Sequence, residues 1–290
     1  MEKGGFLVWN VNPVMFKVWV FEPRWYGLCF GLGLIMAYFT TKWQFSRTGH
    51  DPETPVRLFL YVYLGTLIGA FLGHRIFYEW DSFIRDPIAT FSLKRGISGL
   101  SSHGAAIGIL VSIYLYHKKY HIRFLEIFDR LTFGVSLVAA MVRVGNLMNS
   151  EIVGRKTDLP WAFCFPLYDS GRLIPRHPSQ IYEAIIGVWV FGSLLLCDRL
   201  WQGEKRPLGL LTGIFAIHYF FLRFLVEFVK EYQALSDTSL LTMGQYLSIP
   251  FVITGVLILL NAFKRRLPAA MAVEQRPLPN LSKREKKKRR

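Results

Sequence analysis

The sequence predicts an all-α, polytopic integral membrane protein of about seven transmembrane helices, with the N-terminus outside and the C-terminus inside. Three observations lead there. First, 52% of the 290 residues are hydrophobic and the mean hydropathy is +0.28, more apolar than a soluble domain of this length. Second, long apolar runs recur along the chain, separated by short charged segments. Third, the segments 42–57, 117–126 and 199–207 together with the tail from Lys264 hold 20 lysines and arginines, against 11 in the segments of the other face. The positive-inside rule places those segments in the cytoplasm, and the bias rests on the tail, which holds 11 of the 20. The net charge of +15 is therefore no signal for nucleic acid; its residues gather at loops and in the terminal "KREKKKRR", as they would beside anionic headgroups.

The predicted helices lie near 25–42, 57–79, 99–117, 127–148, 180–199, 208–229 and 244–263. Most approach the roughly 20 residues that a bilayer requires. Pro207 precedes the sixth, where a missing N–H suits a first turn. The opening "MEKGGFLVWNVNPVMFKVWVFEP" lacks the basic, apolar, then small pattern of a cleaved signal. No internal repeat or second domain is visible. The organisation predicted is a membrane domain, 1–263, with outer loops near 80–98 and 149–179, followed by a basic cytoplasmic tail, 264–290. Cys29, Cys164 and Cys197 are far apart and in no ligand spacing, so neither a disulfide framework nor a metal site is expected.

Charged residues inside such spans cost a few kcal/mol or more and need partners. Arg130, beside Asp129, reads as half of a structural pair, and Arg75, with Tyr78 and Glu79 close by, reads equally as part of a structural ion pair or as a functional residue. Arg143 and Asn146 are spaced i, i+3 and share a helix face. Tyr219, Arg223 and Glu227 stack a phenol, a cation and a carboxylate on one stripe, where Glu227 is expected to fix Arg223. Two arginines near the outer half of a bundle suggest an anion between them, since the guanidinium fork suits phosphate. His103 opens the third span inside the small-residue stretch "SGLSSHGAAIG". A histidine titrates near neutrality and can take a proton from a thiol. Ser179, in "RHPSQIYEA", has no base and acid at nucleophile spacing, which argues against a serine hydrolase.

Together these stretches resemble the prolipoprotein diacylglyceryl transferases, integral enzymes of the bacterial inner membrane. "VRVGNLMNSEIVG", Val142 to Gly154, resembles the family hallmark G-R-x-G-N-F-x-N-x-E-x-x-G. "RHPSQIYEA" resembles a second. "WYGLCFGLG", "SSHGAAIG" and "RFLVEF…TMGQYLSIP" follow in the family's order, so the likeness spans about residues 20 to 262. Val142, Leu147, Ser102 and Ala105 depart from the usual residues; every polar group of the hallmark is present.

The resemblance implies transfer of the diacylglyceryl group of phosphatidylglycerol to the lipobox cysteine of a lipoprotein precursor. It implies no cofactor and no metal, with phosphatidylglycerol, precursor signal peptides and membrane lipid as partners. His103 is then the candidate base, with stabilisation of the thiolate by an arginine as the alternative. Arg143 and Arg223 would bind the lipid phosphate and stabilise the leaving group. Tyr26, Asn146, Glu151 and Tyr219 would contact the headgroup, and Asn149, Gly154 and Glu227 would support them. The expected location is the inner membrane, with the site toward its outer face.

Overall fold

The computed structural model describes residues 5–86, 101–231 and 239–269. Most of the predicted loop 80–98, the first residues of the third predicted span and the tail from residue 270 lie outside them. The described part is almost entirely helical. Seven long helices run as α1 (Trp25–Ser46), α2 (Thr54–Tyr78), α4 (Ser102–Tyr120), α5 (Phe124–Met148), α6 (Ser179–Leu200), α7 (Leu210–Val226) and α8 (Met243–Arg265), and a short helix, α3 (Trp80–Arg85), follows α2. Each long helix overlaps a predicted one with ends shifted by a few residues. Five segments are long and apolar enough to cross a membrane: α2, α5, α6, Leu210–Val229 and α8. The first helix carries Thr40, Thr41, Lys42 and Gln44 in its second half, and α4 ends on His117, Lys118 and Lys119, which lowers the apolarity of both.

Two features set the packing. The small residues of α4 meet a matching row on α2. A Cβ at Gly69 would run into the Gly104 carbonyl, and one at Gly73 would stand 2.5 Å from Gly104 Cα. The backbones approach this closely because glycines recur every fourth residue, and in lipid such contact drives helix pairing. Helices α5, α6 and α7 pack through a second core of Phe133, Ile186, Val190, Leu194 and Leu211. A cluster around Phe45, Leu58, Tyr116 and Ile127 joins α1, α2, α4 and α5 at the end of the bundle nearest the C-terminal tail.

That tail end also holds a buried ion network, and it corrects one sequence expectation. Arg130 does not pair with Asp129. It contacts Glu126, one turn back, at 2.9 Å and Glu204 at 3.0 Å. Adjacent residues on a helix point about 100° apart, whereas i, i+4 residues share a face. Asp129 instead accepts hydrogen bonds from the Gly209 and Thr212 amides, at 2.7 and 2.8 Å, and from the Thr212 hydroxyl at 2.6 Å. It caps α7 from another helix, satisfying amides that the first turn leaves free. Arg75 does pair with Glu79. The helix α8 continues to Arg265, and the next residues fold back: the Leu208 amide donates to the Leu267 carbonyl, and Arg123 donates to the Pro268 and Ala269 carbonyls.

At the opposite, signature end, three two-residue strands form a small sheet. β1 (Leu7–Val8) runs parallel to β2 (Phe163–Cys164), which pairs antiparallel with β3 (Pro175–Arg176). This sheet ties the N-terminal segment to the 149–179 connection. The Trp9 indole adds a hydrogen bond of 2.9 Å to the Leu147 carbonyl, one of the acceptors left free at the end of α5. The three cysteines are free.

Candidate active site

The signature begins on the last turns of α5. Arg143 Nη1 donates to Asn146 Oδ1 at 3.0 Å, as the i, i+3 spacing predicts. Beyond Met148 the chain turns back over the helix end, with Ser150 and Ile152 both in the left-handed region at φ 53 and 56. A β-branched residue at positive φ is a strained choice, held here by its surroundings. The turn brings Glu151 onto the amides of Asn146 and Asn149, at 2.8 and 3.3 Å. A carboxylate beside a helix C-terminus opposes the helix dipole, so these donors offset an unfavourable placement.

Tyr26, at the start of α1, lies against Gly145: a Cβ there would stand 2.8 Å from the tyrosine ring. Its phenol is within electrostatic reach of Glu151 and Arg143. Gly154 is held where three segments meet. A Cβ on it would stand 2.5 Å from His177 Cβ and 2.7 Å from the Val229 carbonyl. Its amide donates to the His177 carbonyl at 3.0 Å.

The second motif, "RHPSQIYEA", closes over the first. The Ser179 hydroxyl donates to the Ile152 carbonyl at 2.8 Å, and Gln180 Nε2 to the Glu151 carbonyl at 2.8 Å. Ser179 is fully buried in this role. Arg176 is buried as well, forked onto Asp169 at 2.7 and 2.9 Å and reaching Glu231 at 2.6 Å. Those carboxylates hold its guanidinium firmly charged, raised above the ordinary arginine value. His177 meets the Tyr182 hydroxyl at 3.2 Å, and burial pushes its imidazole below the usual histidine value.

The centre of the site is a residue that reading the sequence did not single out. Glu183, in the first turns of α6, is 5% exposed. Arg143 from α5 pairs with it directly. Arg223 Nη1 from α7 lies 3.9 Å from the same carboxylate, and Lys230 Nζ lies at 3.4 Å. Tyr219, one turn before Arg223, stands beside that guanidinium. Two arginines on separate helices thus converge on one buried carboxylate. The signal was present: between Tyr182 and Leu200, Glu183 and Asp198 are the acidic residues of an otherwise apolar run. Lys230 was missed too, because it lies just beyond the helical stripe.

Glu227 does not take the place expected of it. Its direct ion pair is with Lys230 at 3.0 Å, and it acts on Arg223 through space. After Val226 the helix tightens into a 3₁₀ turn, Glu227–Val229, whose i, i+3 geometry brings Lys230 over the carboxylate. Gly244 of α8 makes room for it, since a Cβ there would stand 2.5 Å from the carboxyl carbon.

His103 stands apart. Its side chain is exposed on the first turn of α4, just after Ser101, whose hydroxyl caps the helix by accepting the Gly104 amide at 3.2 Å. Among the described residues, no hydrogen bond or ion pair joins it to Arg143, Arg223 or Glu183.

The fold and the site define a class: a helical membrane protein in which two arginines and a lysine converge on a buried carboxylate at one end of the bundle. The sequence matches the family described as prolipoprotein diacylglyceryl transferase over residues 13–261, and the chain belongs to that family. Among its relatives, a phosphatidylglycerol–prolipoprotein diacylglyceryl transferase of Chloroherpeton thalassium is 39% identical over 91% of this chain and 97% of the relative. A protein of the same name from Porphyromonas gingivalis is 38% identical over 91% of this chain and 97% of its own length. Another, from Tolumonas auensis, is 34% identical over 90% of this chain and 99% of its own.

Proposed function

We propose that this chain transfers the diacylglyceryl group of phosphatidylglycerol to the cysteine thiol of a lipoprotein precursor's lipobox, the first step of lipoprotein maturation. The convergence of Arg143 and Arg223 on Glu183 carries this reading of the site. A phosphodiester entering there replaces the carboxylate as counter-ion and gains a planar fork from each guanidinium.

In the reaction the thiolate sulfur attacks the glyceryl carbon that bears the phosphate. The carbon–oxygen bond breaks, a thioether forms, and glycerol 1-phosphate leaves with the bonding pair. Charge on the departing phosphate rises, and preorganised cations stabilise the transition state more than the ground state. Asn146, Asn149 and Glu151 hold Arg143 in line, and Tyr26 and Tyr219 reach the headgroup from α1 and α7. A thiol of pKa near 8.5 must also lose a proton. His103 is the candidate acceptor for that proton, arriving with the peptide at the exposed start of α4; thiolate stabilisation by an arginine, with water taking the proton, is the other route. All seven long helices span the bacterial inner membrane in this reading. The signature end faces outward, where precursors emerge after translocation, and the basic tail faces the cytoplasm.

The test combines purified protein, phosphatidylglycerol and a lipobox peptide, following peptide mass and glycerol phosphate release. A peptide heavier by one diacylglyceryl group, lost in Arg143→Ala and Arg223→Ala, is the expected result. An unmodified peptide with folded wild-type protein and several lipids would remove the reading. His103→Gln decides the base: retained turnover excludes it.

A further inference from the structure

Helices α5 and α6 touch where Gly187 meets Ala140 and Ser136; a Cβ at Gly187 would stand 2.8 Å from the Ala140 Cβ and from the Ser136 carbonyl. Beside that contact, on the side facing lipid, the two helices leave a groove of about 450 Å³. It runs from Arg143 and Gln180 at the signature end to Val188 and Trp189 deeper in the bundle, with Val144 and Ala184 between. Its free wall is wholly apolar. Val188 and Trp189 are 59% and 65% exposed, so the groove is open along its length rather than roofed.

Three properties define what fits. The size lies within the range of roughly 300–1,000 Å³ typical of small-ligand sites. From Gln180 to Trp189 the helix rises about 13 Å, close to the depth of one leaflet of a ~30 Å hydrocarbon core. One cation, Arg143, stands at the end where a headgroup would be, and the same guanidinium contacts Glu183 in the site described above. An elongated apolar group with an anion at one end matches all three.

We propose that this groove seats one acyl chain of the donor phospholipid and so sets the chain length that the protein accepts. The inference rests on the reading that Arg143 binds the lipid phosphate. Moving a chain from bilayer to groove gains little hydrophobically, because lipid tails are as apolar as the wall. The contribution is alignment. A chain fixed along α6 while its phosphate is held by Arg143 leaves the glyceryl carbon with few orientations, and orientation is worth a large part of a barrier. A chain too long for the groove must bend out at its deep end, and one too short leaves contacts unmade. Ala184 and Val188 lie on one stripe of α6, four residues apart, and are the positions where added bulk shortens the groove.

The experiment offers the protein an equimolar mixture of phosphatidylglycerols with saturated chains of about 12, 14, 16 and 18 carbons, spanning the leaflet depth. The mass of the modified lipobox peptide reports which donors were used. Val188→Trp and Ala184→Phe should shift the product ratio toward the shorter donors by at least about fivefold against wild type, as expected for one or two methylenes in a fitted pocket. Ile253→Phe, on the lipid-facing side of α8, should leave the ratio unchanged. An unshifted ratio in active variants overturns the proposal. So does an equal loss with every donor, including inactivity of both variants, since bulk at the exposed Val188 leaves the helix packing intact. A raised KM for the peptide with an unchanged donor ratio assigns the groove to the signal peptide instead, and also overturns it. Absence of transfer in wild type is a separate result, which removes the transferase reading itself.

Discussion

Glu183 shows why single residues in this site resist substitution in different ways. Arg143 and Arg223 were legible as residues in search of an anion, because arginine in an apolar span is costly without one. Replacing Arg143 by lysine keeps the charge but loses the planar fork that joins Asn146 and Glu183 and that the proposed reaction turns onto the phosphate. The expected effect is a fall in kcat/KM of about 10²-fold, comparable to removing one preorganised donor, measured with saturating peptide. His177 supplies a prediction of a different kind. Burial depresses its folded-state value below the ordinary 6.5. The folded protein therefore favours the neutral ring, while the unfolded chain takes up a proton as pH falls through about 6.5. The stabilisation is complete above that pH and is lost below it. The unfolding temperature in detergent should fall between about pH 7 and pH 5, and His177→Gln should flatten that fall. A slope unaffected by the substitution would assign the pH dependence to other groups.

Among the elements, α2 and α4 depend on their glycine seam more than on any side chain. Gly69→Val would drive a side chain into the Gly104 carbonyl, which the backbone can relieve only by separating the helices. A loss of about 3 kcal/mol is expected, seen as a lowered unfolding temperature and yield. Gly27→Ala, which meets nothing within 4 Å, should be neutral. The long helices were legible because lipid requires an apolar run of a set length, a signal that needs no knowledge of neighbours. The motifs likewise marked where polar groups gather. What stayed hidden depends on geometry between elements. Asp129 looked like the partner of Arg130 until the start of α7 came to rest on it. Glu227 looked like the partner of Arg223 until a 3₁₀ turn set Lys230 closer to it. Glu183 was inside a quoted motif, but its position as a hub follows from three helices meeting, which spacing along one helix does not reveal.

For the whole molecule, the two ends of the bundle divide the labour. The tail end is a charge-balanced clasp. Arg47 and Arg206 both pair with Asp198, at 2.6 and 2.7 Å, beside the Arg130, Glu126 and Glu204 contacts. Residues 266–269 are stitched into this clasp through Arg123 and the 206–208 backbone. The sequence boundary at 264 therefore falls within a structured region. A chain ending after Ala269 should keep the wild-type unfolding temperature, whereas one ending after Phe263 should lose roughly 2 kcal/mol by unsatisfied donors at Arg123 and Leu208. Equal stability of the two truncations would show that the stitching contributes nothing. The chain ending after Ala269, which keeps the stitched residues, also separates fold from any headgroup attraction by the basic tail, which activity in anionic and neutral vesicles would report.

The signature end has the opposite character, and Glu183 bears on which impostors it admits. Membranes contain free fatty acids, which carry one carboxylate on an apolar chain. At Arg143 and Arg223 such a molecule offers the group the protein already supplies, so exchange of like for like yields no advantage. A phosphodiester offers two charged oxygens on a tetrahedral phosphorus, which two guanidinium groups from different helices can share. In the proposed phosphate site, the resident carboxylate sets a threshold that common soaps fail to cross, a form of selectivity achieved by occupying the site in advance.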